Sequence, residues 1–498
     1  MRGDERWRSI GGLVRDAAER FGPGEAVVDG DTRLSFSALA AAVDQAARAV
    51  MASGVERGDR ISIWAPNSWE WIVAALGALS AGGVLVPINT RFKRNEAAYV
   101  LEKSGAKLVF TTSDFLGVDY TAMVDGDVVD LRRWSDFTER SDEVSLGELQ
   151  ARNESVSSDD LSDIMFTSGT TGKPKGVMTT HGQTLRVFDV WADVVGLAEG
   201  DRYLIVNPFF HTFGYKAGFI ACLMRGATIV PHDVFDVPQV LDKVRAERVS
   251  VLPGPPTLYQ SILNTPERGD LDSLRLAVTG AAVVPVELVK RMRDELTFET
   301  ILTAYGLTEA TGVVTMCRPE DDAETIASTS GRAIPDVEVK ITDAGEIVVR
   351  GYNVMQGYYQ DPVATAGAID ADGWLHTGDI GVMDERGYVR ITDRLKDMFI
   401  VGGFNAYPAE IENELLAHPS VAQAAVVGMP DERMGEVGCA FVVPRSGATI
   451  DVDELIAWAK ERMANYKVPR RVEVVEALPL NASGKVLKFE LRERAKHA

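Results

Sequence analysis

The chain of 498 residues is too long for one ordinary hydrophobic core and fits a large domain with a smaller one beside it. Hydrophobic residues make up 46% and charged residues 25%, the balance of a soluble globular protein; a formal net charge of −21 argues against general affinity for nucleic acid or an anionic membrane. Met1 to Gly12 has no apolar run of signal-peptide length, and Cys222, Cys317 and Cys439 lie far apart without metal-ligand spacing, so a cytoplasmic protein with reduced thiols and no membrane insertion is expected.

In chain order, Ala38–Ala52 reads as an Ala-rich helix, Arg60–Trp64 as a strand and Trp69–Leu79 as a helix. The longest apolar stretch, Ile72 to Ile88, is broken by Gly77, Ser80, Gly82, Gly83 and Pro87, which suits a helix running into a buried strand better than a membrane span. Leu108–Thr111 is a further strand, and the acidic, weakly patterned Ser113–Ser158 reads as loops around short elements. Strands are expected at Tyr203–Asn207, Thr228–Val230, Val249–Leu252 and Leu274–Thr279, with helices at Val237–Glu247 and Pro285–Leu296. Val337–Arg350 alternates around a turn at Asp343–Gly345, a hairpin pattern, and Gly387–Thr392 alternates again. After Asp393-Arg394-Leu395-Lys396-Asp397 the chain starts afresh: a strand at Met398–Val401, a helix from Pro408, strands at Val421–Val427 and Val437–Val443, and a helix at Asp453–Met463. The alternation predicts a layered α/β fold, with a separate small domain beginning near Arg394. From Lys460 onward, ten Lys/Arg face five Asp/Glu; a solvated surface and a basic lid over a phosphate-rich ligand both account for this.

One segment carries chemistry on its own. Thr167-Ser168-Gly169-Thr170-Thr171-Gly172-Lys173-Pro174-Lys175-Gly176 lies between strand-like stretches, and its hydroxyls, glycines and lysines can surround phosphates with backbone N–H groups and positive charge. It is not a Walker A loop, because only two residues separate Gly169 from Gly172 and Pro174 follows Lys173.

This loop resembles the phosphate loop of the adenylate-forming superfamily: acyl-CoA synthetases, luciferases and peptide-synthetase adenylation domains. The remaining motifs of that family follow in order. Gly280-Ala281-Ala282 resembles the segment beside adenine and the acyl group, and Tyr305-Gly306-Leu307-Thr308-Glu309 the next core motif. Trp374-Leu375-His376-Thr377-Gly378-Asp379 matches the ribose-binding motif, Asp393-Arg394-Leu395-Lys396-Asp397 the hinge motif, and Pro479-Leu480-Asn481-Ala482-Ser483-Gly484-Lys485 the motif with the catalytic lysine.

The resemblance implies a large amino-terminal domain, residues 1–393, of layered α/β subdomains with a β-barrel-like part. A small mobile α+β domain, residues 394–498, would follow. It implies binding of ATP or AMP by Thr167, Ser168, Gly169, Thr170, Thr171 and Lys175, with Tyr305 stacking on adenine, Thr308 at the α-phosphate, and Asp379 and Arg394 at the ribose. Thr170 and Glu309 would hold Mg²⁺, Lys485 would neutralise charge during adenylation, and Lys396 would be the hinge. Gly402 and Gly403 would let the pantetheine arm of coenzyme A pass close to the backbone.

His211, in Pro208-Phe209-Phe210-His211-Thr212-Phe213-Gly214, matches a family histidine at the carboxylate-binding pocket, whereas His181 reads as structural. Phe213, Gly214, Ala304 and Gly312 are assigned to the acyl pocket. Small residues there, including Ala217, Gly218, Gly280, Ala281 and Gly306, are expected to leave volume for a bulky acid. Tyr215 and Lys216 are either polar lining for an oxygenated acid or solvent-facing. No aspartate lies between Phe209 and Gly218 to pair with an ammonium, which argues against an α-amino acid.

The expected activity is therefore that of an ATP-dependent carboxylate:CoA ligase. The whole sequence resembles the actinobacterial acyl-CoA synthetases of sterol breakdown, so the expected acid is bulky and hydrophobic, of the indanedione-propanoate kind. Medium-chain or aromatic acids, transfer to a carrier protein, a catalytically dead nucleotide-binding scaffold and a homo-oligomeric state remain open alternatives.

Overall fold

The computed structural model describes residues 2–167, 174–280, 284–394, 397–401, 404–431, 433–463, 465–480 and 486–497. The chain divides into two compact units, Met1–Val339 with Val349–Leu375 and Arg386–Tyr388, and Lys340–Val348 with His376–Glu385 and Val389–Ala498.

The first unit is built on a seven-stranded sheet in the order Gly357–Tyr358, Lys175–Thr180, Leu161–Thr167, Val84–Pro87, Arg60–Trp64, Leu108–Thr111, Val129–Asp130. Its central strands are parallel and apolar, as burial on both faces demands. Helix Trp69–Ser80 starts where the Ser68 hydroxyl accepts from Trp71 N–H, and everything from Trp71 onward is buried. Gly77, one of the interruptions in the apolar stretch, is a packing device: a Cβ there would lie 2.7 Å from Ala46 Cβ in helix Phe36–Ala52. Small residues on both helices let their backbones come close.

Two four-stranded sheets follow, Thr32–Ser35, Glu25–Asp29, Thr228–Pro231, Arg202–Ile205 and Leu276–Gly280, Thr300–Tyr305, Thr315–Met316, Arg332–Ala333. The strand expected at Val249–Leu252 shrinks to Val251, which bridges Tyr203 and Leu276 in parallel before Pro253 ends the run. The expected loops of Ser113–Ser158 include a ten-residue helix, Leu146–Ser155. Its signal is a capping box, Ser145 and Glu148 each accepting the other's backbone N–H. The hairpin expected at Val337–Arg350 is present as Val337–Ile341 and Glu346–Gly351.

In the second unit, long antiparallel strands Val421–Asp431 and Gly435–Pro444 form the centre of a five-stranded sheet with Phe399–Val401, Phe404–Ala406 and Arg471–Val474. Helices Pro408–Leu416 and Val452–Arg462 bury Ile411, Leu415, Leu455 and Ala459 against it.

All three cysteines are buried and free. Burial raises each thiol pKa, that of Cys439 to about 11. His181, at the start of helix His181–Val195, is structural: its buried Nδ1 accepts from Ile10 N–H at 3.2 Å, tying the amino-terminal helix to the body.

Desolvation lowers the His181 pKa from 6.5 to about 4. Between those values the unfolded chain binds the proton and the folded one does not. The contribution of the neutral ring is therefore complete above pH 6.5 and declines as pH falls towards 4, by about 3 kcal/mol in all. Urea midpoints of the native chain should fall across that window, and His181→Gln should remove that part of the slope. Parallel curves for the two proteins would refute the assignment.

Candidate active site

The strand Leu161–Thr167 organises the first unit's polar centre. It pairs antiparallel with Lys175–Thr180 in a register that places Thr167 opposite Lys175, so the two residues that bound the expected phosphate loop lie side by side. Ser168, Gly169, Thr170 and Thr171 lie outside the described residues, as do Ala281, Ala282, Lys396, Gly402, Gly403 and Lys485. The residues flanking the loop are placed. Thr167 Oγ1 donates to Glu309 Oε1 at 3.4 Å, and the Tyr358 hydroxyl donates to the same oxygen at 3.0 Å. Lys175 Nζ sits 5.0 Å from the centre of the Tyr358 ring. Burial, then the charge and hydrogen bond of Glu309, raise the Tyr358 pKa, so the phenol stays protonated and donating. Tyr358 was not singled out from sequence; it lies in a two-residue strand, too short for any periodic pattern.

Thr308 and Glu309 belong to the turn Thr308–Ala310 after strand Thr300–Tyr305. Met355 N–H donates to the Glu309 carbonyl at 2.9 Å, and buried Asn353 donates to Val313 O at 2.9 Å, pinning both sides of the turn. Gly280 and Ala304 are register partners at the carboxyl ends of parallel strands, and Tyr305 follows next, largely buried. Crevices at such strand ends are where open α/β sheets bind ligands.

The segment expected to bind the acid, Pro208–Gly214, meets this centre from another side. Thr212 Oγ1 donates to Met165 Sδ at 3.3 Å, and Gly312, at φ +95°, would place a Cβ 2.2 Å from Thr212 Cγ2 and 3.5 Å from Phe188 Cζ. Phe188, fully buried in helix His181–Val195, thus packs close to Thr212 and Gly312, a contact between residues far apart in sequence. His211 Nδ1 accepts from Phe213 N–H at 3.2 Å, which leaves Nε2–H as the outward donor of the neutral ring. The residue is solvent-exposed, and the protein packed near its ring lowers its pKa by desolvation.

Three glycines of these segments sit against backbone on the side where a Cβ would lie. Cβ atoms would come within 2.7 Å of Ala304 O at Gly280, 2.3 Å of Pro208 O at Gly214 and 1.9 Å of Gly312 O at Gly306. At these three positions neighbouring backbone leaves no space for a Cβ. Tyr215 and Lys216 are not solvent-facing: both are buried, and Lys216 Nζ lies 2.8 Å from Asp163 Oδ1. Burial lowers the Lys216 pKa and the carboxylate opposes that shift. The ammonium is engaged within the protein.

In the second unit, buried Asp379 lies opposite Arg394 in the antiparallel pair Leu375–Met383 and Val389–Arg394. Thr377 Oγ1 donates to Ile347 O at 2.6 Å and accepts from Asp379 N–H at 3.1 Å, while Gly378, at φ +69°, donates its N–H to Glu346. The turn that presents Asp379 is fixed at three points.

Family models for the AMP-binding enzyme and for the AMP-binding enzyme C-terminal domain match residues 14–359 and 410–485. The chain belongs to the AMP-binding enzyme family, with its large amino-terminal and small carboxy-terminal domains. A methyl-dioxo-octahydro-indenyl-propanoyl:CoA ligase of Rhodococcus jostii is 53% identical over 97% of this chain and 98% of its own. The ligase of the same name from Mycobacterium tuberculosis is 51% identical over 94% and 95%. Among solved structures, o-succinylbenzoate CoA synthetase (MenE) of Bacillus subtilis with its acyl-adenylate intermediate superposes with a TM-score of 0.82, at 32% identity over 96% of this chain and 97% of that one. The same enzyme with ATP and a magnesium ion gives 0.84, at 31% identity over 97% and 98%.

Gly306→Ala should displace the Gly312 backbone, destabilise by about 1–3 kcal/mol and lower kcat/KM for small and large acids alike. Loss confined to large acids would show that Gly306 faces the ligand after all. Lys216→Met leaves Asp163 buried and unpaired, so it should cost about 3–5 kcal/mol, most of it recovered in Asp163→Leu/Lys216→Met. Thermal melts of the single and double variants measure both quantities.

Proposed function

We propose that this AMP-forming acid–CoA ligase takes as its acid a propanoate borne on a methylated bicyclic dione, converting it through acyl-AMP to the CoA thioester. The observation that carries the reading is 53% identity over 97% of the chain to a relative named for that acyl group. The absence of any aspartate from Phe209 to Gly218 supports an acid without an ammonium group.

The chemistry brings a carboxylate to the α-phosphorus of ATP and expels pyrophosphate, so negative charge must be neutralised where two anions meet. The Nε2–H of His211 is oriented by Phe213 to hold the incoming carboxylate, with Phe188 and Thr212 walling the acyl side. Lys175 and the phosphate loop receive the phosphates, and Tyr305 and Asp379 take adenine and ribose. Glu309, with oxygen donors around it, fits a hard cation held partly by substrate phosphates, with Thr170 as second ligand; Mg²⁺ there would neutralise phosphate charge. Among the described residues no cluster of three or more His, Cys, Asp or Glu cages a metal, and such shared coordination needs none. Lys485 serves the first step, and Gly402 and Gly403 the pantetheine arm in the second, after rotation of the domain from about Arg394 at Lys396.

Pyrophosphate release should require ATP, Mg²⁺ and acid, with AMP as co-product. The bicyclic propanoate should show higher kcat/KM than palmitate, acetate or ferulate. ADP as the product would refute adenylation, and a preference for palmitate would refute the acid. Lys485→Ala should lose about 10²–10³ in adenylation while converting supplied acyl-AMP normally.

A further inference from the structure

Asn67 lies between strand Arg60–Trp64 and helix Trp69–Ser80, in neither, and its carboxamide is buried. Nδ2 donates to Asn207 O at 3.0 Å, His232 O at 3.1 Å and Ile205 O at 3.3 Å. Oδ1 accepts from Phe209 N–H at 2.8 Å. Ile205 ends its strand, His232 directly follows Thr228–Pro231, and Asn207 and Phe209 begin the segment that carries His211. Asn67 itself hangs from the sheet that contains Leu161–Thr167. One side chain therefore joins the phosphate-loop sheet to the acid-binding segment, at the carboxyl ends of the strands on both sides. Trp71, one turn into the helix, adds a ring contact to Phe209 at 5.3 Å.

We propose that Asn67 is a positioning residue for adenylation, holding the Pro208–Gly214 segment in register with the sheet of strand Leu161–Thr167 so that carboxylate oxygen can reach the α-phosphorus. This rests on the reading above, in which His211 receives the acid. The chemistry of the site selects asparagine. The Asn207 and His232 carbonyls need donors, the Ile205 carbonyl already accepting from His232 N–H, and the Phe209 N–H needs an acceptor; a short planar amide, with two N–H groups and one oxygen, supplies both from one point. Aspartate has the shape without the donors, and serine lacks the reach. The role is indirect: Asn67 acts through the Phe209 backbone, and the segment's inner hydrogen bonds, His211 N–H to Pro208 O and Gly214 N–H to His211 O, carry the constraint to the imidazole.

The two half-reactions separate positioning from general support. Joining acid to phosphate needs the two loops in register, whereas in acyl-adenylate that bond already exists. Asn67→Asp and Asn67→Ser should slow acid-dependent pyrophosphate release by up to about 10²-fold, the loss expected of an ångström-scale misplacement. KM for ATP should stay unchanged, and supplied acyl-AMP and CoA should form thioester near the unsubstituted rate. Equal losses in both half-reactions, no loss in either, or variants that cannot be recovered folded would each overturn the assignment and leave Asn67 a structural residue. The unsubstituted enzyme is assayed alongside. If it fails to release AMP and pyrophosphate with any acid, the proposed function falls and this assignment with it. If it is active and the variants behave as one of the overturning cases, only the role of Asn67 falls.

Discussion

The buried ion pair between Asp163 and Lys216 is the constraint on which the first unit's centre depends. A lysine and an aspartate removed from water are tolerated only as partners, so strand Leu161–Thr167, which leads towards the loop expected at the phosphates, and the helical turn after the segment expected to bind the acid must stay together. Asp163 is further held by the Ser162 hydroxyl at 2.7 Å. Two residues along the strand, Met165 meets Thr212, and two further along, Thr167 meets Glu309. One strand thus presents, at successive positions on one side, an anchor, a wall contact and a polar contact to the motif expected at the phosphates.

Around that anchor, charge and hydrogen-bond donors are assigned before any ligand arrives. Glu309 is flanked by hydroxyls, His211 has one nitrogen already occupied, and the backbones of the Tyr305-Gly306-Leu307-Thr308-Glu309 motif and of Gly312 touch. An adenylating site must gather anions that repel one another. Preorganisation supplies what flexible side chains in water cannot.

Much of the architecture was legible because its signals are local. Arg60–Trp64, Leu108–Thr111 and Val237–Glu247 occur at the bounds their residue patterns set, and the motifs at Thr167, Tyr305 and Asp379 are contiguous words whose chemistry survives without a fold. What escaped has partners far away in sequence. Asn67 becomes meaningful only through Phe209, 142 residues on, and Tyr358 only through Glu309, 49 residues back. The close packing at the glycines was hidden for the same reason: absence of a side chain is visible in sequence, but what lies against the backbone there is not. At Gly306 it is another stretch of backbone. The helix at Leu146–Ser155 is the exception, since its capping box was present and its acidic surroundings obscured it.

The three buried thiols bear on a hazard particular to this chemistry. An acyl-adenylate is an acylating agent for any thiolate within reach, and coenzyme A can form mixed disulfides with accessible cysteines. Cys222, Cys317 and Cys439 are enclosed and held protonated by their surroundings, so the protein offers no nucleophile of that kind to its own intermediate or to oxidised cosubstrate. The folded enzyme is thereby protected from acylation at cysteine by its own intermediate.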